Sequence, residues 1–253
     1  MAIRFLFPLL SLAAVSACVS GRPDPSISER QLDRIIERSL TATGGESALS
    51  GLRNLRLKAA WTEMGTAFTG DYRATRDGLM RIDVSVDGKR VFSEGIDSRG
   101  PWEQKGPDAP ATPVGPEAGN ALRHGIEYRF NGIWLARERG NKVSHAGREA
   151  IDGVDYHVIK LTLRDGFESY FYVNPATWLV ERQRDTRAYH PSLDRTKVRI
   201  ENVFDQHVAR CGVKMPSRQQ DRDVGAGKIL SSSRVVEGTC NVPLATLDID
   251  RPS

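Results

Sequence analysis

From Leu52 onward the sequence repeats one unit, a short run of alternating apolar and polar residues closed by a glycine- or proline-bearing turn. Leu55, Leu57, Ala59 and Trp61 fall on one face of an extended chain, opposite Asn54, Arg56 and Lys58. Phe68, Gly70, Tyr72 and Ala74 form a second run, and Met80, Ile82, Val84 and Val86 alternate with Arg81, Asp83 and Ser85. Side chains two apart share a face of a strand, so this pattern predicts a sheet with one apolar and one wet face. Asp77-Gly78, Asp87-Gly88, Asp152-Gly153 and Asp165-Gly166 are hairpin signals, because tight hairpin turns need backbone angles that Asp and Gly tolerate. Gly100-Pro101 and Asn174-Pro175 add further turns, the first leading into Trp102. The pattern continues through Val91–Ile96, Lys142–Arg148, Tyr156–Leu163, Phe167–Val173, Trp178–Arg187, a run around Thr196, Val198 and Ile200, Val213–Gln220 and Lys228–Val236.

Two stretches break the period. Leu32, Ile35, Ile36 and Leu40 recur at helical spacing, with Arg34, Glu37 and Arg38 opposite. Ser28 and Gln31 have capping-box spacing before this helix, Gly44-Gly45 stops it, and residues 46–51 have room for one more turn. Ala118, Leu122, Ile126 and Phe130 mark a second helical region over residues 117–139, interrupted by Gly125 and Gly132. Before it, prolines at 107, 110, 113 and 116 predict an exposed loop of polyproline character.

These elements predict a mainly β domain of about eleven or twelve antiparallel strands, with an N-terminal helix and a mid-chain helical lid. So wide a sheet curls, and its apolar face must be covered. An unclosed half-barrel with both helices over its mouth uses every element. It leaves a cavity, for which Leu57, Trp61, Phe68, Tyr72, Met80, Ile82, Val84, Phe92, Trp102, Leu122 and Ile126 are the candidate lining.

The N-terminus constrains location. Arg4 precedes an apolar run over residues 5–15, too short to span a bilayer but suited to an export leader. Val15-Ser16-Ala17-Cys18 resembles the lipobox of bacterial lipoproteins. That resemblance implies cleavage after residue 17, a diacylglycerol on the Cys18 thiol and an acylated new amine. Two or more chains anchor stably where one binds marginally. Residues 18–27, with Gly21, Pro23 and Pro25, then read as a short tether, and residues 28–253 as one folded domain. In enteric bacteria an Asp after the lipidated Cys retains a lipoprotein at the inner membrane; Val19 therefore implies the outer membrane, facing the periplasm. In an oxidising compartment the remaining pair, Cys211 and Cys240, suggests a disulfide, with free thiols or a metal pair with His207 as alternatives.

Composition excludes several functions. A net charge of +4, with bases and acids interspersed, does not argue for nucleic acid. No G-x-S-x-G, H-E-x-x-H, P-loop or G-x-G-x-x-G is present, and His124, His145, His157, His190 and His207 are scattered without metal spacing. Asp165, Asp185 and Asp194 fall near turns or strand ends, where carboxylates cap or are solvated. No catalytic residue, metal or cofactor is expected.

The order of turns and strands is similar to that of the LolA/LolB-like lipoprotein-sorting proteins. The residues that carry the likeness are Thr43-Gly44-Gly45-Glu46-Ser47-Ala48-Leu49, Leu52 and Leu55-Arg56-Leu57. Gly147-Arg148-Glu149, Ile151-Asp152-Gly153-Val154, residues 156–163, Tyr170-Phe171-Tyr172-Val173 and Gly212-Val213-Lys214-Met215-Pro216 extend it over residues 28–242. The resemblance implies an unclosed barrel with a helical lid, whose cavity holds acyl chains of lipids or lipoproteins. The expected partners are such a ligand, a membrane reached through Cys18, and another envelope lipoprotein. A ligand-responsive sensor and a structural envelope protein with a filled core remain the alternatives.

Overall fold

The computed structural model describes residues 29–252. Cys18, the leader, the tether and the Ser28 cap lie outside the described residues. The described residues begin with α1 (Glu29–Thr43) and α2 (Glu46–Gly51). Five strands follow: β1 (Asn54–Glu63), β2 (Thr66–Thr75), β3 (Met80–Val86), β4 (Lys89–Asp97) and β5 (Gly100–Gln104). The two-residue β6 (Thr112–Pro113) and α3 (Pro116–Phe130) separate these from β7 (Lys142–Ile151), β8 (Val154–Thr162), β9 (Glu168–Val173) and β10 (Val180–Ala188). The last strands are β11 (Lys197–Arg210), β12 (Val213–Asp223) and β13 (Lys228–Cys240).

The thirteen strands among the described residues form one antiparallel sheet in the order β6-β5-β4-β3-β2-β1-β13-β12-β11-β10-β9-β8-β7. It is two meanders joined where β1 pairs with β13, and it stays unclosed, with β6 and β7 as edges. The thirteenth strand comes from the proline-rich loop. Pro113 pairs opposite Trp102 at the sheet edge, where a missing N–H costs no ladder bond.

The helices cover the inner face. Leu32 and Ile35 of α1 pack with Ile133 and Ala136, and beneath them lie Ile159, Leu161, Phe171 and Val173. Leu49, Leu55, Leu57 and Met80 form a second cluster with Ile126 and Phe130 of α3. Each such side chain, fully buried, contributes about 1.5–3 kcal/mol. Gly44 ends α1 at φ 131°, and a Cβ there would lie 2.1 Å from the Gly212 carbonyl oxygen, so only glycine lets the helix end meet the β11–β12 turn. That turn carries Cys211, disulfide-bonded to Cys240 at the end of β13. The bridge therefore ties a hairpin tip to the strand that joins the two meanders.

The outer face of the first meander departs from the wet surface expected of it. Arg73, Arg81, Ser93, Asp97, Trp102 and Gln104 are all buried. The C-terminal segment, residues 244–252, crosses this face and seats Leu247 and Ile249 in it. Arg81 donates to the Asp250 carbonyl (3.0 Å) and Arg73 to that of Asp248 (3.3 Å), while Arg251 grips both Asp97 oxygens at 2.5 and 2.6 Å. Asp83 sits at the centre, accepting from Arg73, Arg81 and Ser93.

Candidate functional site

α3 starts at Pro116 behind an N-cap glycine, and its buried stripe is Gly119, Ile126 and Phe130. A Cβ at Gly119 would come within 2.7 Å of Pro101, so that glycine lets the helix settle on β5. The side of α3 bearing Ala121, His124, Gly125, Tyr128 and Arg129 faces a cavity of about 330 Å³. Its floor is the inner face of β9 to β12, with Phe171, Val180, Gln183, Asp185, Asn202, Phe204 and Met215, and Leu49, Trp134 and Phe167 close its sides. The volume lies at the small end of the roughly 300–1,000 Å³ usual for ligand pockets.

Polar and aromatic latches hold α3 down on this cavity. Tyr128 shares a 2.6 Å hydrogen bond with the fully buried Ser169 hydroxyl, and its ring meets Phe171 edge-on at 5.5 Å. His124 lies 2.7 Å from Asp165 and stacks on Phe167 at 4.3 Å. By contrast, α1 touches the cavity only through Thr43. α3 is therefore the helix that walls the cavity, while α1 packs beside it in the core.

A second compartment of about 280 Å³ adjoins the first, sharing Arg129, Pro216 and Gln219 with it. One wall is apolar, with Leu57, Trp61, Tyr72, Ile82 and Val235. Trp61 lies across Gly70, where a Cβ would come 2.3 Å from the ring, and stacks on Phe68 at 5.6 Å. The other wall is polar, with Gln219, Asp221, Ser231 and Tyr189. Asp221 accepts from Asn202 (2.6 Å), Gln219 (2.8 Å), Ser231 (3.0 Å) and Tyr189 (3.4 Å), so four neutral donors hold its charge. The loop after β10 folds over this end, where His190 meets Glu63 of β1 at 2.5 Å. That contact raises the His190 pKa.

The polar inner band is the main departure from the lining read in the sequence. Gln183 and Asp185 of β10, Asn202 of β11, and Gln219 and Asp221 of β12 all face inward. Asp185 is not a solvated strand-end residue; it is buried, and burial raises its pKa although Arg187 stands 3.1 Å away. Glu94, beside Ile82 on the inner face, is pushed up to about 7 by burial. These strands carry polar residues at successive positions, as in Gln219-Gln220-Asp221-Arg222. Hydrophobic alternation therefore cannot tell their inner face from their outer one. The pairing of β12 with β11 and β13 is the signal that identifies it.

Of the candidate lining residues, Leu57, Trp61, Tyr72 and Ile82 wall the second compartment. Met80 and Ile126 are buried in solid core, and Leu122 packs half-buried against it. Val84 and Phe92 oppose each other across β3 and β4, half-buried, outside both compartments. Trp102 faces the other way. It pairs with Gly95, which pairs with Arg81, so it belongs to the outer face; β5 starts at Gly100, which sets Pro101 and Glu103 inward instead. Phe68 borders a wide hollow of about 850 Å³ whose walls, Ala60, Thr62, Thr69, Gln220 and Arg234, belong to the outer face. That hollow is more open than the space under α3 and mixes Trp61 and Phe68 with polar side chains such as Gln220 and Arg222.

Among the described residues, no three His, Cys, Asp or Glu groups converge as a metal site. His207 donates its Nε2–H to the Val180 carbonyl (3.1 Å), and His157 stacks on Trp178 with His145 edge-on to His157. Asp165 and Asp194 accept from the Phe167 and Thr196 amides, which are turn roles.

No protein-family model and no curated protein matches this chain. Solved structures do. A DUF1329 family protein from Desulfovibrio piger superposes with a TM-score of 0.55 at 12% identity, over 84% of this chain and 94% of that one. A LolA superfamily protein from Nitrosomonas europaea gives 0.54 at 11% identity, over 85% and 96%. A domain named for outer membrane lipoprotein sorting, from Vibrio parahaemolyticus, gives 0.52 at 10% identity, over 86% and 95%. The chain thus has the fold of LolA-like lipoprotein-sorting proteins, and at these identities the likeness concerns fold alone.

Proposed function

We propose that this protein is a membrane-tethered acceptor or carrier that binds the acyl chains of a lipid or lipoprotein beneath α3. The observation that carries the reading is the aromatic-walled cavity between α3 and β9 to β12, with Trp134, Phe167, Phe171 and Phe204 around it. Burial of apolar surface supplies affinity at about 25 cal/mol per Å² without a catalytic group. The fold shared with LolA-like proteins supports the same reading. Chains enter as the Tyr128 and His124 latches release and α3 lifts, while α1 stays in the core. Cleavage before Cys18 and acylation there would fix the body to the membrane, and Val19 favours the outer one. Residues 19–27 are too few for the folded domain to cross the periplasm, which favours an acceptor over a shuttle.

Native mass spectrometry of the lipidated protein released in mild detergent tests this. The reading expects a co-purifying lipid mass on a body that begins at Cys18, and uptake of a fluorescent fatty acid after delipidation. A clean apo mass with no uptake contradicts it.

A further inference from the structure

The two compartments meet at Arg129, in the last turn of α3. Its guanidinium lies 5.0 Å above the Tyr72 ring, and its Nε is buried with no hydrogen-bond partner. Arg129 is half-buried, and an arginine keeps its charge at any physiological pH, so a guanidinium partly withdrawn from water gains from a paired anion. Several arginines of the sheet show the usual solution, whereas Arg210 of β11 also has a buried nitrogen, Nη1, without a hydrogen-bond partner. Arg187, on the same cavity wall, has Asp185 at 3.1 Å; Arg182 and Arg184 share Glu201; Arg73 and Arg81 share Asp83. Arg129 has no carboxylate within 4.0 Å among the described residues. The acids of its compartment are engaged elsewhere, Asp221 by four neutral donors and Glu63 by His190.

We infer that Arg129 is the seat for the anionic head of an amphiphile, a carboxylate or phosphate, whose chain lies in the aromatic cavity beneath α3. The placement fits both ends of such a molecule. Aromatic and aliphatic walls lead from Arg129 under α3, and the adjoining compartment carries the polar side chains of Ser217, Gln219 and Ser231. The guanidinium offers a planar fork of N–H donors matched to carboxylate or phosphate oxygens. This inference rests on the proposed function and narrows it from hydrophobic ligands in general to anionic amphiphiles.

The test is equilibrium competition against a fluorescent fatty acid on the delipidated protein. Three competitors share one chain: palmitate, palmitoyl lysophosphatidic acid and monopalmitoylglycerol. The wild type is expected to favour at least one anionic compound over monopalmitoylglycerol by tenfold or more, and which one names carboxylate or phosphate as the head. In Arg129→Gln the three compounds are expected to bind within twofold of one another. Arg129→Lys is expected to restore part of the preference, since a point charge replaces the fork. Equal binding of all three compounds by the wild type overturns the inference and leaves the proposed function standing, even if Arg129→Gln fails to fold. A preference that survives in a folded Arg129→Gln protein overturns it as well. No binding of any of the four compounds defeats the proposed function itself.

Discussion

Replacing Tyr128 with Phe isolates one latch of α3. The hydroxyl lost is the one 2.6 Å from Ser169 Oγ, while the ring that meets Phe171 at 5.5 Å remains. Ser169 is fully buried, so its hydroxyl is left without a partner in place of solvent. A net hydrogen bond of about 1 kcal/mol, plus part of the desolvation cost of an orphaned hydroxyl, puts the loss at about 1.5 kcal/mol. If α3 lifts independently of the sheet, this loss falls on its local opening, which becomes about tenfold more populated. Amide hydrogen exchange reads it directly: the α3 amides exchange about tenfold faster, and those of β1 to β3 do not. The double variant with Ser169→Ala should cost less than the two singles together, with a coupling of about 1 kcal/mol. Unchanged α3 protection in the Tyr128→Phe protein, or an equal loss throughout the sheet, would refute the latch.

Other expectations concern the scaffold. Arg251 holds Asp97 down at about 2, against burial that opposes it, so the folded pKa lies below the unfolded value. The pair's stability, about 2 kcal/mol, is present above about pH 4 and lost as pH falls toward 2; Arg251→Gln should flatten that limb of an acid-unfolding curve. Cys211 and Cys240 are 29 residues apart, so reduction should cost about 3.5 kcal/mol on the chain-entropy account, measurable by urea denaturation with and without reductant. Ile82→Asp places a second carboxylate beside Glu94 in the compartment wall and should abolish ligand uptake as well as destabilise. Arg81→Met should also destabilise, by about 3 kcal/mol, because it strips Asp83 and the C-terminal segment of a buried partner, yet leave uptake intact.

The fold was legible because its determinants are local. Asp77-Gly78, Asp87-Gly88, Asp152-Gly153 and Asp165-Gly166 each mark a real hairpin, and Met80 to Val86 alternates over the full length of β3. α1 buries Leu32 and Ile35 from the stripe its spacing defines. What stayed hidden is non-local. Arg81 reads as a solvent residue because nothing near it in sequence shows that residues 244–252 return to cover it. Trp102 reads as lining because one residue in the start of β5 decides its face. The cavity under α3 depends on strands β10 to β12, where Gln183, Asp185, Asn202 and Asp221 make the inner face polar and erase the alternation that identified β3. Arg129 gives no sequence signal, since its lack of a counter-ion is a property of three-dimensional neighbours.

The most direct test of the central claim is where a bound chain lies. A photoactivatable fatty acid, cross-linked to the folded protein and mapped by peptide mass spectrometry, should mark peptides containing Phe171, Phe204 and Met215, the floor and wall beneath α3. Labelling confined to exposed apolar tips such as Met64 and Leu193, with none beneath α3, would contradict the account.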